Sequence, residues 1–512
     1  MSTEKLIKSL QNPVIYDHPI EKFEVIETHS AWVLLTGPYA YKIKKPVNFG
    51  FLDFSTLEKR LHYCKEELRL NQRLAPELYI GLITITGREN TPQLNHGSNV
   101  IEYAVKMVQF RQEDQLDQVL TRQGGLPIHY IGKLAKQLAG FHQSIPGTDT
   151  KTSFGSPELV KQPVKENFEQ IRPLLTSQQD LSLLKTLESW SSKQFKKQVT
   201  HIKNRKINGH IRECHGDMHL ANIALINDEI VFFDCLEFNA NLRWIDTISE
   251  TAFLFMDFDD RKQSRLANCL INTYLEACGD YQGLTLFRFY LVYRAIVRAK
   301  VATLRAAQTT ATPNERIAAQ SQCREYLALA RQYTVNNPTP IIITYGLSGS
   351  GKSTLSQLLL ENYRAIRIRS DVERKRLFKH DLYSSSTSQK TYKHLEKQTR
   401  TIIDSGFPAI IDAAFLKQSQ REQFYLLAKQ LKVPFIILHT NAPTKQLEQW
   451  IESRSKDPDN VSDADHSVLK QQITSIEPLN EQEKPHTVTV HTEHPIKIRQ
   501  VIRAINMFSG KN

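Results

Sequence analysis

The sequence predicts a two-domain protein in which an α+β domain precedes an α/β domain with a parallel sheet. The chain has 512 residues, whereas one ordinary domain has roughly 150. The glycine-rich stretch GLSGSGKST, residues 346–354, follows a β-branched run and precedes a helical pattern, as in parallel α/β folds. This stretch begins only at residue 346, so the 345 residues before it are predicted to form a separate domain. There, short strand patterns come first and long helical patterns follow.

Composition places the chain among globular proteins. It is 40% hydrophobic and 23% charged, with a mean hydropathy of -0.41, which excludes the disordered class. Its six cysteines are scattered without a CxxC pair, which predicts neither a zinc site nor a disulfide framework. The amino terminus is charged where a signal peptide needs an apolar run, and no apolar stretch reaches the ~20 residues that span a bilayer. We therefore expect a cytoplasmic protein with no membrane partner.

The formal net charge of +12 at pH 7 indicates which class of binding partner the chain could attract. Both halves of the chain are basic, and the second is the more densely so. A basic chain favours anionic partners such as nucleotides, phosphorylated metabolites or nucleic acid. The alternative is a generally basic surface without a specific anionic partner.

Residues 306–337 are predicted to connect the two domains. The stretch 306–316, AAQTTATPNER, ends a helical pattern at a proline, and NNPTP at 336–340 supplies turn and helix-stop signals. A new apolar run starts directly afterwards. These signals predict a first domain over 1–335 and a second over 338–512.

Strand patterns open the first domain. Residues 32–47, WVLLTGPYAYKIKKPV, predict two strands joined by a turn at 36–38, and the second strand carries three lysines. A helical pattern over 59–76 and a further strand pattern over 100–110 follow. This mixture indicates the start of an α+β domain.

The stretch 213–238, ECHGDMHLANIALINDEIVFFDCLEF, carries three polar residues at a spacing that suits phosphoryl transfer. Asp217 is followed by Asn222 five positions later, and a β-turn-β pattern then ends in Asp234. Kinase chemistry needs one Asp that accepts the proton of the substrate hydroxyl, together with an Asn and a second Asp that hold metal ions. A chance turn motif is the alternative.

The HGDxHxxN form, with Gly216 where eukaryotic protein kinases carry Arg, resembles the aminoglycoside phosphotransferase and choline kinase branch of the kinase-like fold. The resemblance implies a bilobal α+β fold with one lobe over about 1–110 and the other over about 111–305. The residue roles that it implies are a catalytic base at Asp217, Mg²⁺ ligands at Asn222 and Asp234, and a structural support of the loop at His215.

The same resemblance implies an ATP-binding lysine in the amino-terminal lobe. Lys42 matches it best, with Glu67 in the following helix as its ion-pair partner. Lys44 and Glu66 are the alternative pair, because one sequence does not fix the register. The glycine-rich loop of protein kinases is missing, and the turn ETHSAW, with Ser30, is the candidate cover for the phosphates.

The loop at 346–354 matches the motif GxxxxGK[ST], whose chemistry is the binding of nucleotide phosphates. Its glycines let backbone amides curl around phosphate oxygens, Lys352 neutralises the β- and γ-phosphates, and the Ser353 hydroxyl binds Mg²⁺. The predicted nucleotide-binding residues are Gly346, Ser348, Gly349, Ser350, Gly351, Lys352, Ser353 and Thr354.

The segments after this loop resemble the small P-loop kinases related to polynucleotide kinase, zeta toxins and chloramphenicol phosphotransferase. AIRIRSDVERKRLF at 365–378 supplies a strand that ends near Asp371, which the resemblance implies is the catalytic base, and Arg374, which it implies holds the substrate. FPAIIDAAF supplies a buried strand that ends in Asp412, the implied Walker-B ligand of Mg²⁺. Arg454 lies in a segment that resembles the lid that closes over the nucleotide.

Each of these assignments has a simpler alternative. Asp371 could only cap the helix that follows it, Asp412 could be only a turn residue, and Arg454 could lie on a solvated face. Arg367 and Arg369 alternate onto one side of their strand. They predict either a basic groove for the acceptor or a solvated, charge-rich face.

Taken as a whole, the chain is similar to the bacterial family described as bifunctional aminoglycoside phosphotransferase and ATP-binding protein. The resemblance implies that both domains transfer the γ-phosphate of ATP to a hydroxyl group, with Mg²⁺ as the cofactor. The amino-terminal acceptor is then a small molecule, and the carboxy-terminal acceptor is a small molecule or the 5′-hydroxyl of a nucleic acid. The alternative is that one domain transfers no phosphate and is an ATP-dependent switch for the other.

Overall fold

The computed structural model describes residues 3–50, 52–309, 311–337, 339–380, 382, 384–454 and 466–510. The chain forms two compact units, each assembled from non-consecutive segments. The first unit comprises Met1–Tyr130, Phe141–Val160 and Lys203–Asp257. The second unit comprises Ile131–Gly140, Lys161–Ile202 and Phe258–Asn512. The predicted domain boundary at 335–338 lies inside the second unit and stays a prediction.

A six-stranded antiparallel sheet opens the first unit. Its strands are β1 (Glu24–Glu27), β2 (Ala31–Leu35), β3 (Tyr39–Lys44), β4 (Tyr79–Arg88), β5 (Thr91–Leu94) and β6 (Val100–Val108). Their order across the sheet is β1-β2-β3-β6-β4-β5. The strand pair predicted at 32–47 is confirmed as β2 and β3. Because side chains alternate along a strand, Lys42 and Lys44 lie on one face of the sheet and Tyr41 lies on the other.

Helices cover both faces of this sheet. They are α1 (Thr3–Ser9) and α2 (Leu57–Asn71). Leu6 and Ile7 of α1 enter an apolar core with Tyr41. The hydroxyl of Thr56 caps α2 by accepting a backbone hydrogen bond, which fixes where this helix begins. From there α2 brings Glu67 to the face of the sheet that carries the lysines.

Four helices follow, namely α3 (Leu116–Gln123), α4 (Ile128–Ser144), α5 (Pro157–Ile171) and α6 (Gln178–Ile207). The next elements are β7 (Ile211–Glu213), β8 (Ile223–Ile226), β9 (Glu229–Phe232), α7 (Ala240–Arg243), β10 (Trp244–Asp246) and α8 (Thr247–Asp260). β7 pairs with β10 and β8 with β9, both antiparallel. Asn227 and Asp228 join β8 to β9 with φ of 50° and 64°, as a type I′ hairpin turn requires. The predicted β-turn-β segment is confirmed.

Three helices open the last long segment of the second unit. They are α9 (Ser264–Cys278), α10 (Leu284–Ala306) and α11 (Pro313–Thr334). α11 lies in the predicted connector, where Thr312 and Glu315 form a capping box at its start. It packs along α10, and Arg298 of α10 donates a hydrogen bond to the buried hydroxyl of Tyr326 at 3.3 Å. The predicted connector is therefore mostly a packed helix.

A five-stranded parallel sheet completes the second unit. Its strands are β11 (Ile341–Tyr345), β12 (Ile366–Arg369), β13 (Ala409–Asp412), β14 (Phe435–Asn441) and β15 (Thr487–His491), in the order β12-β13-β11-β14-β15. The helices between and after them are α12 (Lys352–Tyr363), α13 (Ser370–Leu377), α14 (Ser385–Asp404), α15 (Gln418–Leu431), α16 (Thr444–Arg454), α17 (His466–Ser475) and α18 (Ile498–Phe508). The central strand β11 is buried along its whole length. The carboxyl ends of parallel strands meet at one edge, so the loops after β11, β12 and β13 come together there.

Both parts of the predicted fold class are confirmed. The amino-terminal part has the α+β, protein-kinase-like arrangement of an antiparallel sheet followed by helices and a short hairpin, and the carboxy-terminal part has the parallel sheet of a P-loop fold. Across the ranges that the structure describes, no helix combines the length and the apolarity needed to cross a membrane.

Candidate active sites

In the first unit, Lys42 of β3 joins two carboxylates. Its Nζ lies 2.8 Å from Oε1 of Glu67 and 2.5 Å from Oδ1 of Asp234. Glu67 comes from α2 and is fully buried, whereas Asp234 follows the β8–β9 hairpin and its side chain is 42% exposed. Three separate elements therefore meet at one lysine. The structure forms the pair of Lys42 with Glu67 that the sequence favours.

The alternative pair of Lys44 with Glu66 does not form. Lys44 Nζ lies 2.7 Å from Oε2 of Glu67 and also bonds the carboxylate of Glu237. Glu66 instead accepts from Arg69 at 2.8 Å, near the surface. Glu67 thus holds both lysines, and Lys44 links it to the segment that follows Asp234.

Burial and neighbouring charges have opposite effects on the pKa values of this cluster. Burial alone would raise the pKa of Glu67, but the cations of Lys42 and Lys44 outweigh it and hold that pKa below its usual range. Burial alone would lower the pKa of both lysines, but the surrounding carboxylates outweigh it and raise both. For Glu237, burial is the largest cause and raises its pKa although Lys44 opposes it. Both lysines therefore stay charged at neutral pH.

Asp217 lies in the loop after β7, and two side chains approach its carboxylate. Asn222 Nδ2 donates to Oδ2 of Asp217 at 3.1 Å and to its backbone oxygen at 3.0 Å. Nε2 of His219 lies 3.4 Å from the same carboxylate oxygen. The structure therefore places the predicted base beside one of the predicted metal ligands.

His215 links the start of this loop to the residue before Asp234. Its Nε2 donates to the carbonyl oxygen of Phe233 at 2.8 Å, and its Nδ1 accepts from the backbone N–H of Asp217 at 3.3 Å. Only the neutral ring can donate at Nε2 and accept at Nδ1. Full burial lowers the pKa of His215, which favours this neutral form.

A buried carboxylate on α8 holds the turn between His215 and Asp217. Oε1 of Glu250 accepts from the backbone N–H of Gly216 at 2.7 Å, and Oε2 bonds Nε2 of His142 at 2.8 Å. Gly216 has a φ of 89°, and a Cβ at this position would lie 3.0 Å from the Cβ of Leu236. The conformation therefore requires glycine in the HGD motif.

Two buried side chains that the sequence analysis missed fix the segment around Asp234. The hydroxyl of Tyr79 accepts from the backbone N–H of Asp234 at 3.1 Å, and Oδ1 of Asn71 accepts from that of Cys235 at 2.8 Å. Asp234 itself has a φ of 63°, which is uncommon outside glycine. Neither Tyr79 nor Asn71 lies in a motif, so no signal in one sequence could have identified them.

The oxygens of the first site suit Mg²⁺. Nδ2 of Asn222 is used by Asp217, and within the described ranges no group donates to Oδ1 of Asn222 or to Oδ2 of Asp234. Amide and carboxylate oxygens are the ligands that Mg²⁺ prefers. These two residues fit the ion that the fold implies.

In the second unit, the predicted nucleotide loop borders a cavity of about 700 Å³. Its lining residues include Ser348, Gly349, Ser350, Gly351, Lys352, Ser353, Thr354, Asp371, Arg374, Asp412, Trp450, Gln472 and Thr492. Ligand pockets have volumes of roughly 300–1,000 Å³. The structure thus brings Asp371, Arg374 and Asp412 to the loop, as parallel strands predict.

Glycine is required where the loop leaves β11. Gly346 has a φ of 154°, and a Cβ there would lie 2.5 Å from Oγ1 of Thr440. The loop is held from below by Thr440, which bonds the Ser350 hydroxyl at 2.6 Å, and by Thr492, which donates to the Ser350 carbonyl at 2.9 Å. Lys352 Nζ donates to the carbonyl oxygens of Gly346 and Leu347 at 3.0 and 2.7 Å.

Asp412 is the last residue of β13, and its side chain is 4% exposed. Its Oδ2 accepts from the Ser356 hydroxyl at 2.9 Å, and no group in the described part of the chain donates to its Oδ1. A buried carboxylate with an available oxygen, which lines the same cavity as Ser353, fits Mg²⁺. The turn-residue alternative does not account for this burial.

Asp371 and Arg374 lie three positions apart on α13 and form an ion pair. Arg374 Nη1 donates to Oδ1 of Asp371 at 3.1 Å. The N-cap position of α13 is Arg369, which makes no side-chain cap, so Asp371 lies inside the helix rather than at its cap. Arg454 ends α16, but its side chain lies outside the described residues, and its lid role stays a prediction.

Three arginines in and just before β12 form ion pairs, and the predicted groove for the acceptor stays a prediction. Arg364 bonds both oxygens of Asp259, at 2.6 and 2.7 Å. Arg367 and Arg369 both reach Glu276, at 3.2 and 2.8 Å. These carboxylates come from α8 and α9. The three arginines therefore form their ion pairs within the second unit.

Comparison with known proteins identifies a family for the second half of the chain and relatives for most of its length. The family described as AAA domain matches residues 341–479, which confirms the predicted P-loop resemblance of that half. "Uncharacterized protein Rv2004c" of Mycobacterium tuberculosis is 30% identical over 414 residues, which cover 78% of this chain and 80% of the relative. "Uncharacterized protein Mb2027c" of Mycobacterium bovis matches with the same figures.

Several solved structures to which the chain is similar are described as kinases. An amicoumacin kinase in complex with AMP-PNP, Ca²⁺ and Ami is 10% identical, with 64% of this chain and 94% of that chain covered and a TM-score of 0.41. A choline/ethanolamine kinase family protein from Mesorhizobium loti is 10% identical, with 65% and 99% covered and a TM-score of 0.37. The APS kinase of Mycobacterium tuberculosis is 15% identical, with 33% and 99% covered and a TM-score of 0.28.

Proposed function

The chain belongs to the family of the mycobacterial protein Rv2004c, and for it we propose the activity of an ATP-dependent phosphotransferase with two kinase-type sites. Each site transfers the γ-phosphate of ATP to an acceptor hydroxyl. The acceptor of the first site is a small molecule, and that of the second is a small molecule or the 5′-hydroxyl of a nucleic acid. Asn222 and Asp234 in the first unit, and Ser353 and Asp412 in the second, would hold Mg²⁺, which would supply positive charge to neutralise the phosphates.

In the first unit, the proposed chemistry divides among four side chains. Lys42, held by Glu67, binds the phosphates of ATP, and Asn222 and Asp234 supply the ligands for Mg²⁺. Asp217 accepts the proton of the acceptor hydroxyl as that oxygen attacks the γ-phosphorus, and ADP leaves with the electrons of the broken P–O bond. The Asp217 side chain is 42% exposed, so an acceptor can reach it.

In the second unit, the backbone of the loop holds the phosphates. Its amides and Lys352 bind the β- and γ-phosphates, while Ser353 and Asp412 supply oxygen ligands for Mg²⁺. Asp371 accepts the proton of the acceptor hydroxyl, and Arg374 orients an anionic group of that acceptor. Asp371 is 34% exposed on its side chain and lines the same cavity as the loop.

One observation carries the proposal. In each unit a phosphate-binding lysine, an oxygen ligand set and an accessible aspartate come together from segments that are distant in sequence. A structural ion-pair network would not require an exposed carboxylate beside the ligand set in both units. Positioning and electrostatic stabilisation account for most of the catalysis of phosphoryl transfer, and each site contains the groups for both.

The test offers γ-labelled ATP and Mg²⁺ to the full chain with a metabolite extract and, in parallel, with 5′-hydroxyl oligonucleotides. We expect the Asp217→Asn variant to lose label on a small molecule and the Asp371→Asn variant to lose label on the acceptor of the second site. Asp404→Asn, which changes an exposed aspartate at the end of α14, is the matched control. One activity that both variants lose equally would contradict two separate sites.

A second candidate function is favoured by one observation. The helices α9 and α10, which fall in the predicted kinase-like domain, belong to the same compact unit as the P-loop. One nucleotide site could therefore act as an ATP-dependent switch for the other. Transfer by the first site that is unchanged in Lys352→Ala would exclude this function, whereas a loss of that transfer would favour it.

A further inference from the structure

Helix α9 closes one side of the parallel sheet in the second unit. Asn272 Nδ2 donates to the carbonyl oxygen of Ala365 at 2.9 Å, and its Oδ1 accepts from the backbone N–H of Arg367 at 2.7 Å. The Asn272 side chain is 2% exposed. These two bonds take the place of those that another strand would make along the edge of β12. α9 is thus fixed to this sheet at the level of the backbone.

One turn further along α9, Glu276 reaches the network around Asp412. Its Oε1 lies 2.8 Å from Nη1 of Arg369, and its Oε2 lies 3.2 Å from Nη2 of Arg367. Arg369 Nε lies 3.9 Å from Oδ2 of Asp412. Arg367 Nη1 donates to the Ser356 hydroxyl at 3.3 Å, and that hydroxyl donates to the same Asp412 oxygen. Glu276 is therefore linked to Asp412 along two routes.

Arg369 lies between two carboxylates and is closer to the one on α9. It is 17% exposed, and Asp412 is 4% exposed, so water screens their attraction poorly. If the charge of Glu276 were removed, Asp412 would become the nearest carboxylate for a buried guanidinium that needs a partner. A guanidinium bonded to Asp412 would compete with a metal ion for the same oxygens.

We propose that Glu276 is a positioning residue of the second site, which holds Arg369 away from Asp412 and so keeps that carboxylate available to Mg²⁺. This inference rests on the proposed function, in which Asp412 is a ligand of Mg²⁺. Glu276 lies outside residues 341–479, which the AAA domain family matches. The second site therefore depends on a helix that the predicted P-loop domain lacks.

The test measures divalent-ion binding at each site of the full chain. Fe²⁺ takes the place of Mg²⁺, and with ascorbate and peroxide it cuts the backbone beside the bound ion. Cuts next to Asp412 and next to Asp234 release fragments of different length, so one gel separates the two sites. Titration of Fe²⁺ in the presence of ADP then gives the half-saturating concentration for each. We expect Glu276→Gln to raise that concentration about tenfold at Asp412 and to leave it unchanged at Asp234.

Two further variants distinguish a positioning role of Glu276 from a contribution to packing alone. In Glu276→Gln/Arg369→Gln the guanidinium is also removed, and we expect the half-saturating concentration at Asp412 to return close to that of the unchanged chain. Asp259→Asn removes the carboxylate that Arg364 bonds at 2.6 Å, and Asp259 has no bond to Asp412. We expect it to leave iron binding unchanged, although it removes a carboxylate that is 1% exposed and ion-paired.

Several results would overturn the inference. One is unchanged iron binding in Glu276→Gln, and another is a double variant that binds no better than the single one. If Glu276→Gln fails to fold, Arg369→Gln alone decides, because weaker iron binding in that variant would contradict a competing guanidinium. If the unchanged chain gives no cut beside Asp412, the proposal that Asp412 binds a metal ion is wrong. This result differs from a failure of the inference about Glu276, because it is obtained without any variant.

Discussion

The two candidate sites differ in the structural elements that hold their proposed phosphate-binding groups. In the first unit, charged side chains from β3, α2 and the segment after β9 converge on one another, with Glu67 bonded to two lysines. In the second unit, the backbone of a single loop and one lysine form the proposed phosphate site, and Thr440 and Thr492 support that loop. The first site therefore depends on tertiary packing of charges, and the second depends on local backbone conformation.

The largest effect we expect on the first site follows removal of its base. Asp217→Asn keeps the shape of the side chain but removes the proton acceptor, so transfer by the first site should fall about 10³-fold. Steady-state transfer of labelled phosphate measures this. Activity that is lost in Lys352→Ala should persist in Asp217→Asn, and a joint loss would contradict independent chemistry in the two units.

The next effect tests whether the first site depends on buried charge. Glu67→Gln leaves Lys42 and Lys44 with one fewer buried counter-charge, so the first unit should lose about 3–5 kcal/mol of stability. Hydrogen exchange of the β3 amides in urea reports on this unit alone. Glu113→Gln is the control, since its partners Arg111 and Arg122 are 73% and 51% exposed and we expect a loss below about 1 kcal/mol. Equal losses would mean that the buried cluster contributes nothing specific.

A backbone change should affect the second site and leave the first unchanged. Gly346→Ala places a Cβ within 2.5 Å of Thr440 Oγ1 and forces the loop to move. A displacement of about 1 Å can reduce function about 10²-fold, and we expect a loss of MgADP affinity of that size. Calorimetric titration measures it. Gly125→Ala is the control, because a Cβ there meets no atom within 4 Å, and a similar loss in it would contradict the prediction.

A smaller effect tests the support of Asp234. Tyr79→Phe removes the hydroxyl that accepts from the Asp234 N–H, which should cost about 1–2 kcal/mol and raise the metal concentration that the first site needs. Tyr63→Phe, which changes a half-buried ring that packs on Phe54, should change neither quantity. If Tyr79→Phe matches this control, Tyr79 does not position Asp234.

The smallest effect concerns pH. Burial lowers the pKa of His215 from its ordinary value of 6.5, so the unfolded chain binds this proton more readily than the folded chain. Its contribution to stability is complete above about pH 6.5 and is lost as the pH falls through the folded pKa. Urea denaturation from pH 7 to about pH 5 should show a shallower decline in His215→Asn, and an equal slope would contradict a neutral, buried His215.

Sequence patterns predicted the residues whose roles depend on local spacing. The run Ile341–Tyr345 followed by the glycine-rich loop predicts the second candidate site, and the positions of Asp217, Asn222 and Asp234 predict the first. Both patterns are short because catalysis and phosphate binding require fixed distances along one segment. The register that pairs Lys42 with Glu67 was one of two alternatives until the structure was known.

Partners that approach from distant segments could not be predicted in this way. Tyr79, Glu250 and Glu276 act on residues that are between 34 and 155 positions away along the chain. Ordinary core residues have the same composition, and only the tertiary fold brings these side chains to the sites. For the same reason, the alternation of Arg367 and Arg369 predicted either a groove or a solvated face and could not predict their ion pairs with Glu276.

The most direct test of two separate sites is the number of nucleotides that one chain binds. Equilibrium dialysis with a non-hydrolysable ATP analogue and Mg²⁺ should give two per chain, and one per chain in Lys352→Ala, which disables only the second site. A value of one for the unchanged chain, or of zero in Lys352→Ala, would contradict the account.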